Sequence, residues 1–245
     1  MATSTQNRII DGARMTCSGA LDGVIRMFLF DTMKEFFARS NCWLFQAVIP
    51  IVPNANDYVI NTGQPVVVNR LMRIEQPATP PPMPPQYLPM DPPQFLALWG
   101  NNGYTDGNGT NEAINPEFAV PREAVLLNAG VRSPILRIRW NPMANEWWVA
   151  TVAVNLSDPT DSEGLPIAPD WILDRYYDYI SAGVKSRLML QPGKGYSSPQ
   201  GAAMHGRKFN EGVGLARTET RAMFTYGGQR WVFPQGWNYR RPRVP

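Results

Sequence analysis

The stretch from residue 169 to residue 224 constrains the fold most, because it carries two apolar stripes separated by a corner that no helix can cross. Apolar residues recur every four positions in its first part: Ile172, Tyr176, Ile180, Val184 and Leu188. This spacing is typical of an amphipathic helix. Pro192-Gly193 ends that helix, since proline cannot continue the hydrogen-bond ladder and glycine accepts a positive φ. Ser198-Pro199 supplies the cap and first-turn residue of a second helix. We therefore predict a helical hairpin over residues 168–226.

The second helix has a face of mostly small residues, at spacings of three and four: Ala202, Gly206, Phe209, Val213, Ala216, Thr220 and Phe224. Small residues let a partner helix approach closely. Phe209 is the largest residue among these small neighbours, so we expect it to be buried between the two helices. The expected core of the hairpin comprises Trp171, Ile180, Leu188, Phe209 and Val213.

The corner and its flanks also carry a family resemblance. The residues concerned are Pro169, Trp171, Ile172, Ile180, Gly183, Arg187, Leu188, Met189, Pro192, Gly193, Lys194, Tyr196 and Pro199, followed later by Phe209. This line resembles the one that connects two packed helices in the head-to-tail adaptor (head completion or connector) proteins of short-tailed bacteriophages. The match covers roughly a quarter of the chain. The rest agrees in the order of its elements.

The resemblance implies a non-enzymatic structural protein of the virion. Such adaptors form an oligomeric ring, commonly a dodecamer, that joins the portal of the head to the tail. Each copy contacts the next through two different surfaces. The implied partners are the portal protein, a tail nozzle or tail tube protein, other copies of the chain, and the genomic DNA in the central channel. The implied location is the head–tail junction, after assembly in the host cytoplasm.

The remainder of the chain predicts an α+β fold. Residues 1–17 have the composition of a loose N-terminal arm, and residues 18–41 contain a helix for the same helical bundle. Between residues 42 and 167 the apolar period changes from 3.6 to 2, which indicates an inserted antiparallel β domain. Segments 135–140 and 147–154, divided by a turn, form the clearest predicted β-hairpin. We thus expect a helical bundle, built from the N-terminal helix and two C-terminal helices, with an inserted β domain and an extended C-terminal tail.

Residues 76–122 interrupt the predicted β domain with a proline-rich loop. Nine prolines between Pro77 and Pro93 favour an extended polyproline II arm. We expect this arm to lie on a neighbouring subunit, with a ligand for a small proline-binding domain as the alternative. The run from Asp106 to Glu117 begins like a calcium loop, but Asn111 stands where that loop needs glycine. A surface turn is the better interpretation.

The tail, residues 227–245, interleaves aromatic residues with arginines and contains no acidic residue. We predict that it docks on the portal, with its aromatic rings as anchors and its arginines facing carboxylates. The predicted portal-docking residues are Arg230, Trp231, Phe233, Trp237, Tyr239, Arg240, Arg241 and Arg243. Two alternatives remain: the tail folds back on its own domain, or it forms a platform for single-stranded nucleic acid. A nucleic-acid-binding protein is accordingly the alternative function.

Nothing in the sequence favours catalysis, a metal or a cofactor. His205 is the sole histidine and has no carboxylate close in sequence, so a Ser-His-Asp triad is not expected. Cys17 and Cys42 are the only cysteines and stand far apart, which argues against a structural zinc site and against a disulfide framework. The sequence shows no signal region and no apolar run long enough for a bilayer. We therefore expect neither secretion nor a membrane partner.

Overall fold

A computed structural model describes residues 5–50, 55–63, 65–75, 124–138, 147–157 and 167–225. Within these ranges the chain forms five helices: α1 (Thr5–Thr16), α2 (Asp22–Ser40), α3 (Asp170–Arg175), α4 (Tyr177–Met189) and α5 (Pro199–Thr225). It also forms six strands: β1 (Leu44–Pro50), β2 (Asp57–Val59), β3 (Val66–Glu75), β4 (Ala124–Leu127), β5 (Ile135–Ile138) and β6 (Trp147–Leu156). The predicted mixture of helices and antiparallel sheet is confirmed. The proline-rich loop, the run from 106 to 117 and the tail lie outside the described residues.

The six strands form two antiparallel three-stranded sheets, and the predicted β5–β6 hairpin is wrong. β6 is the central strand of one sheet, between β1 and β3, and β5 is central in the other, between β2 and β4. The residues of β6 from Val149 to Leu156 are all buried, on both faces of the strand. β5 instead exposes Arg137, whose guanidinium donates to Asp57 of β2. Both strands are central in their own sheets, and among the described residues β6 is the more deeply buried of the two.

Helix α1 corrects the loose arm predicted for residues 1–17. Ile9, Ala13 and Cys17 recur every four residues and are fully buried, so this short and mostly polar segment has a narrow apolar stripe. The stripe packs mainly on α4, and the hydroxyl of Thr5 donates to Asp174 of α3 at 2.6 Å. Tertiary packing thus stabilises this helix. The polar composition of the segment gave little indication of it.

The first helix of the predicted hairpin is divided at Tyr176. This residue has φ −111° and ψ 21°, which ends α3 before α4 begins. Its side chain is only 2 % exposed, and its ring centroid lies 5.2 Å from that of Phe36 in α2. The break therefore coincides with an aromatic side chain that enters the core.

One hydrophobic core joins the helices to the sheets. Trp43, at the end of the turn after α2, contacts the rings of Phe37 and Phe45 at centroid distances of 5.2 and 6.0 Å. A polar tie adds to this junction, because the side-chain amide of Asn155 in β6 donates to the carbonyl of Lys34 in α2. Helices α1, α2 and α5 all pack on α4. The helices and the β6 sheet are thus held in a fixed relation.

Candidate functional site

The corner between α4 and α5, residues 190–198, is an ordered loop. Gly193 has a φ of 73°, a left-handed conformation that glycine adopts without strain. The amide of Ser198 donates to the carbonyl of Met189 at 3.0 Å, and the hydroxyl of Tyr196 donates to the side-chain oxygen of Gln191 at 2.6 Å. Residues 192–195 are exposed. The corner therefore presents Lys194 to solvent on a hydrogen-bonded support.

Helices α4 and α5 approach closely because glycines occupy the contact. A Cβ atom at Gly183 would lie 2.6 Å from Cδ2 of Phe209, and one at Gly206 would lie 3.2 Å from Oγ of Ser186. A Cβ atom at Gly212 would overlap a tyrosine of α4. The separations leave no room for a methyl group at two of these three positions. This geometry agrees with the close approach expected from the small residues of α5.

Phe209 lies where α2, α4 and α5 meet. Its side chain is 5 % exposed, and its ring centroid is 6.2 Å from that of Phe36. The guanidinium carbons of Arg39 and Arg187 lie 5.9 and 5.7 Å from the Phe209 ring centroid. These distances are within the range of cation–π attraction. Helices α2 and α4 therefore each contact this ring directly, and α5 carries it.

Arg187 ties α4 to α2 through polar contacts. Its guanidinium donates to Oγ1 of Thr32 at 2.6 Å and to the carboxylate of Glu35. Arg39, four residues beyond Glu35 on α2, forms a second ion pair with that carboxylate at 2.7 Å. Thr32 is fully buried, so its contact is shielded from competing water. The network fixes the rotation of α2 against the hairpin.

A second polar group closes the other end of the hairpin. The hydroxyl of Tyr176 donates to the carboxylate of Glu219, and the guanidinium of Arg175 lies 3.0 Å from the same carboxylate. Burial, followed by the hydrogen bond to Glu219, raises the pKa of Tyr176 above its ordinary value. Burial also raises the pKa of the Cys42 thiol to about 12. Both groups stay protonated at neutral pH, so neither is primed as a nucleophile.

An open cleft of about 540 Å³ lies on the outer surface of the helices. It is lined by Arg8, Asp174, Arg175, Tyr177, Asp178, Tyr179, Lys208 and Glu211. Three carboxylates and three cations share this lining, which contains neither histidine nor cysteine. The lining of the cleft therefore carries charges of both signs.

The structure places most of the predicted hairpin residues in the core. Ile180 and Leu188 are fully buried, and Phe209 and Val213 are each 5 % exposed. Trp171 is half-buried and packs at the rim of the core. The predicted portal-docking residues, from Arg230 to Arg243, lie outside the described residues.

Sequence reasoning missed the acidic partners of the two polar groups. Glu35 and Arg187 are 152 residues apart, and Tyr176 and Glu219 are 43 apart. No local spacing joins residues at such separations. Gly183 did carry a signal, because a glycine inside a helical pattern often marks a close packing contact.

Comparison with protein-family models gives no match, and comparison with curated proteins gives none either. Among the residues that the structure describes, no group of three or more His, Cys, Asp or Glu side chains is placed to hold a metal ion. Over the same residues, no helix combines the length and apolar character needed to cross a membrane.

The sole histidine makes the pH dependence of this region testable. Burial, followed by the charges of Lys185 and Lys208, lowers the pKa of His205 below the ordinary value of 6.5. The unfolded chain then binds the proton more tightly than the folded chain does. Stability is therefore expected to decrease as the pH falls through 6.5 towards the lower folded pKa, and to be unaffected by His205 above that range. The pKa is measured from the single histidine signal in an NMR titration.

Substitutions at two separate lysines, one close to His205 and one on another helix, provide a test and a control for this prediction. Lys185→Gln should raise the pKa of His205 towards 6.5, because it removes a positive charge that disfavours protonation. Lys34→Gln, a change on α2, should leave it unchanged. An unshifted pKa of 6.5 or above in the unsubstituted protein would contradict the geometry described for α4 and α5.

Proposed function

We propose that this chain is a non-enzymatic structural protein of a bacteriophage virion, an adaptor that forms a ring between the portal of the head and the tail. The observation that carries the proposal is the α4–α5 hairpin with its Pro192-Gly193-Lys194 corner. In the adaptor family that the sequence resembles, the corresponding line of residues connects two packed helices. The packing of α2 on both α4 and α5 supports the proposal, because the resemblance implies a bundle of these three elements.

In the proposed ring, the helices form the body and the β domain inserted between α2 and α3 faces the tail or the outer wall. Successive copies meet through two different surfaces, which closes a ring when the rotation between copies is right. Genomic DNA passes through the centre. The tail, residues 227–245, reaches the portal, and a tail nozzle or tail tube protein binds the opposite side.

The polar ties of the helices suit this static role. Arg187 joins α4 to α2, and Tyr176 joins the start of α4 to α5 through Glu219. Each tie crosses between helices and involves a partly or fully buried side chain, so it restricts how the helices can rotate. A connector that holds two large assemblies in register requires such rigidity, and the ties supply it without any chemical step.

Deleting residues 227–245 tests the docking role of the tail. The described residues already form one core that joins the helices to the sheets, so the truncated protein is expected to keep its fold and its melting curve. It is also expected to lose attachment to heads, because aromatic anchors each contribute up to several kcal/mol at an interface. Complementation of a phage defective in this protein measures attachment, as the fraction of heads that acquire tails.

The variant Arg217→Gln is the matched control for this experiment. It removes an exposed arginine of α5 outside the tail and should support tail attachment normally. Heads that still acquire tails with the truncated protein would refute the docking role. A collapsed melting transition after truncation would show instead that the tail folds back on its own domain.

Nucleic-acid binding is a second candidate function, favoured by one face of α5. The exposed residues Ala203, Arg207, Asn210, Gly214, Arg217 and Arg221 follow helical spacings of three and four. They include three arginines and no carboxylate. Binding through phosphates would weaken steeply with salt, by about 10³ or more between 50 and 200 mM for six contacts. A salt-insensitive affinity for the head, with no binding to single-stranded DNA, would exclude this candidate.

A further inference from the structure

The charges of the helical hairpin are segregated along the sequence. Residues 158–178 contain six acidic residues (Asp158, Asp161, Glu163, Asp170, Asp174 and Asp178) and one basic residue, Arg175. Residues 179–210 contain five basic residues (Lys185, Arg187, Lys194, Arg207 and Lys208) and no acidic residue. Formal charges of −5 and +5 therefore occupy two adjoining stretches of the chain.

The described residues of these stretches are separated only in part, since Lys208 lies 3.7 Å from Asp178. Asp170, Asp174 and Asp178 recur every four residues and are all exposed, on α3 and the first turn of α4. We call these three residues the acidic side. Lys194 lies in the corner, and Lys185 lies in the second half of α4. We call these two lysines the basic end.

The charged groups of both surfaces can form further ion pairs with a second molecule. Within the described part of the chain, neither lysine of the basic end forms an ion pair. On the acidic side, Asp178 comes within 3.7 Å of Lys208, and Asp174 comes within 3.8 Å of Arg8. These separations exceed hydrogen-bond length, and Asp170 has no ion pair among the described residues. The carboxylates can therefore accept further hydrogen bonds from a second molecule.

The basic end also exposes large apolar side chains. Leu190 of the corner is 63 % exposed, and Met204 in the second turn of α5 is 62 % exposed. Surfaces that combine exposed apolar groups with charges are typical of protein interfaces. The acidic side has an apolar neighbour of its own in the half-buried Trp171. Contact between the two surfaces would thus cover apolar area as well as pair opposite charges.

Within one chain, helix α4 keeps Lys194 away from the acidic side. Helix α4 has 13 residues, which makes it about 20 Å long, and it separates Asp178 in its first turn from the corner that carries Lys194. This helix is rigidly packed by α1, α2 and α5. Lys194 therefore does not reach the acidic side of its own chain.

We propose that the partner is a second copy of this chain, and that the basic end of one copy binds the acidic side of the next. The contact is heterologous, since the two surfaces differ, so it propagates from copy to copy. This inference rests on the proposed ring, for which it names the surfaces between neighbouring subunits. It does not involve the tail or the portal.

Zero-length cross-linking tests the contact directly. A carbodiimide joins a lysine amine to a carboxylate only where the two touch, and the reaction is run on an equal mixture of ¹⁵N-labelled and unlabelled full-length protein at high concentration. Links of mixed isotopic mass are expected between Lys194 or Lys185 and Asp170 or Asp174. The 3.7 Å pair of Lys208 and Asp178 provides an internal control, with links of unmixed mass. Mixed-mass links that omit the basic end, or none at all, would overturn the inference.

Charge reversal supplies a second, independent measurement. One variant carries Lys185→Glu with Lys194→Glu, and the other carries Asp170→Lys with Asp178→Lys. Each alone should self-associate about tenfold or more weakly in low-salt sedimentation, because like charges then face each other. A mixture of the two variants should recover association, since the reversed surfaces complement each other across the two proteins.

The matched control is Lys34→Glu with Arg70→Glu, which makes the same charge change on α2 and β3, and it should associate like the unsubstituted protein. Equal loss in this control, or no recovery in the mixture, would refute the pairing. These measurements use the pure protein, whereas the tail deletion is scored on heads. Failure of the subunit contact and failure of the adaptor role are therefore distinguishable.

Discussion

Replacing Phe209 by alanine is expected to lower the free energy of unfolding by about 3–5 kcal/mol, the usual cost of emptying a buried phenylalanine site. Phe209 is 5 % exposed and touches the position of Gly183 so closely that a Cβ atom there would lie 2.6 Å from its ring. The surrounding helices are tied to each other by Arg187, Thr32 and Glu35. Because these ties resist collapse into the cavity, we expect a loss near the upper part of the range.

Chemical denaturation followed by circular dichroism measures this loss. Met204→Ala is the control, since Met204 lies on the same helix but is 62 % exposed. That variant should change the free energy of unfolding by less than about 0.5 kcal/mol. If Phe209→Ala costs less than about 1 kcal/mol, the packing of α5 on α2 and α4 is not the one described.

The hairpin was predictable because its signals are local. A period of four in apolar residues, a Pro-Gly pair and a Ser-Pro cap all act within a few residues. In the structure Gly193 has the expected positive φ, and Oγ of Ser198 accepts from the amide of Gly201 at 3.1 Å. The one local detail that failed is the continuity of the first helix. Its break at Tyr176 coincides with a core contact between that ring and Phe36, and Phe36 lies far away in the sequence.

Strand pairing shows the opposite case. The turn-like residues 141–145 gave a local reason to pair β5 with β6, and that prediction is wrong. β6 pairs instead with β1, where Phe45 lies opposite Val152, and with β3, where Val68 lies opposite Val154. These partner strands are distant in sequence from β6. The burial of their side chains favours this pairing, and no residue close to β6 in the sequence indicates it. The Glu35–Arg187 contact between α2 and α4 could not be predicted for the same reason, because its two residues are far apart in the sequence.

Glycine usage in α5 could be interpreted in part from the sequence. Small residues on one face indicated close approach to a partner helix, and Gly206 fits that expectation through its contact with Ser186. Gly212 and Gly214 look alike in the sequence, two residues apart in one helix. The packing of α4 gives them different environments, since Gly212 is buried and Gly214 is exposed. Their different roles lead to opposite predictions.

Substituting alanine at these two glycines should change stability in opposite directions. At Gly214 a Cβ atom would meet nothing within 4 Å, so Gly214→Ala should raise the free energy of unfolding by about 0.5–1 kcal/mol through helix propensity alone. At Gly212 the new atom would overlap Cβ and Cγ of Tyr179. The Cβ atom of Tyr179 is fixed to the backbone, so relief requires α4 itself to shift. Gly212→Ala should therefore lower the free energy of unfolding, by about 1–3 kcal/mol for overpacking.

The difference between the two variants isolates the close approach of α4 and α5. Both substitutions gain the same helix propensity, so that contribution cancels when one free energy of unfolding is subtracted from the other. We expect Gly212→Ala to be less stable than Gly214→Ala by about 1–3 kcal/mol, the cost of overpacking alone. Urea denaturation of both proteins under the same conditions gives this quantity. Equal stability would mean that α4 does not contact α5 at Gly212, and the helical unit on which the adaptor proposal depends would then be packed differently.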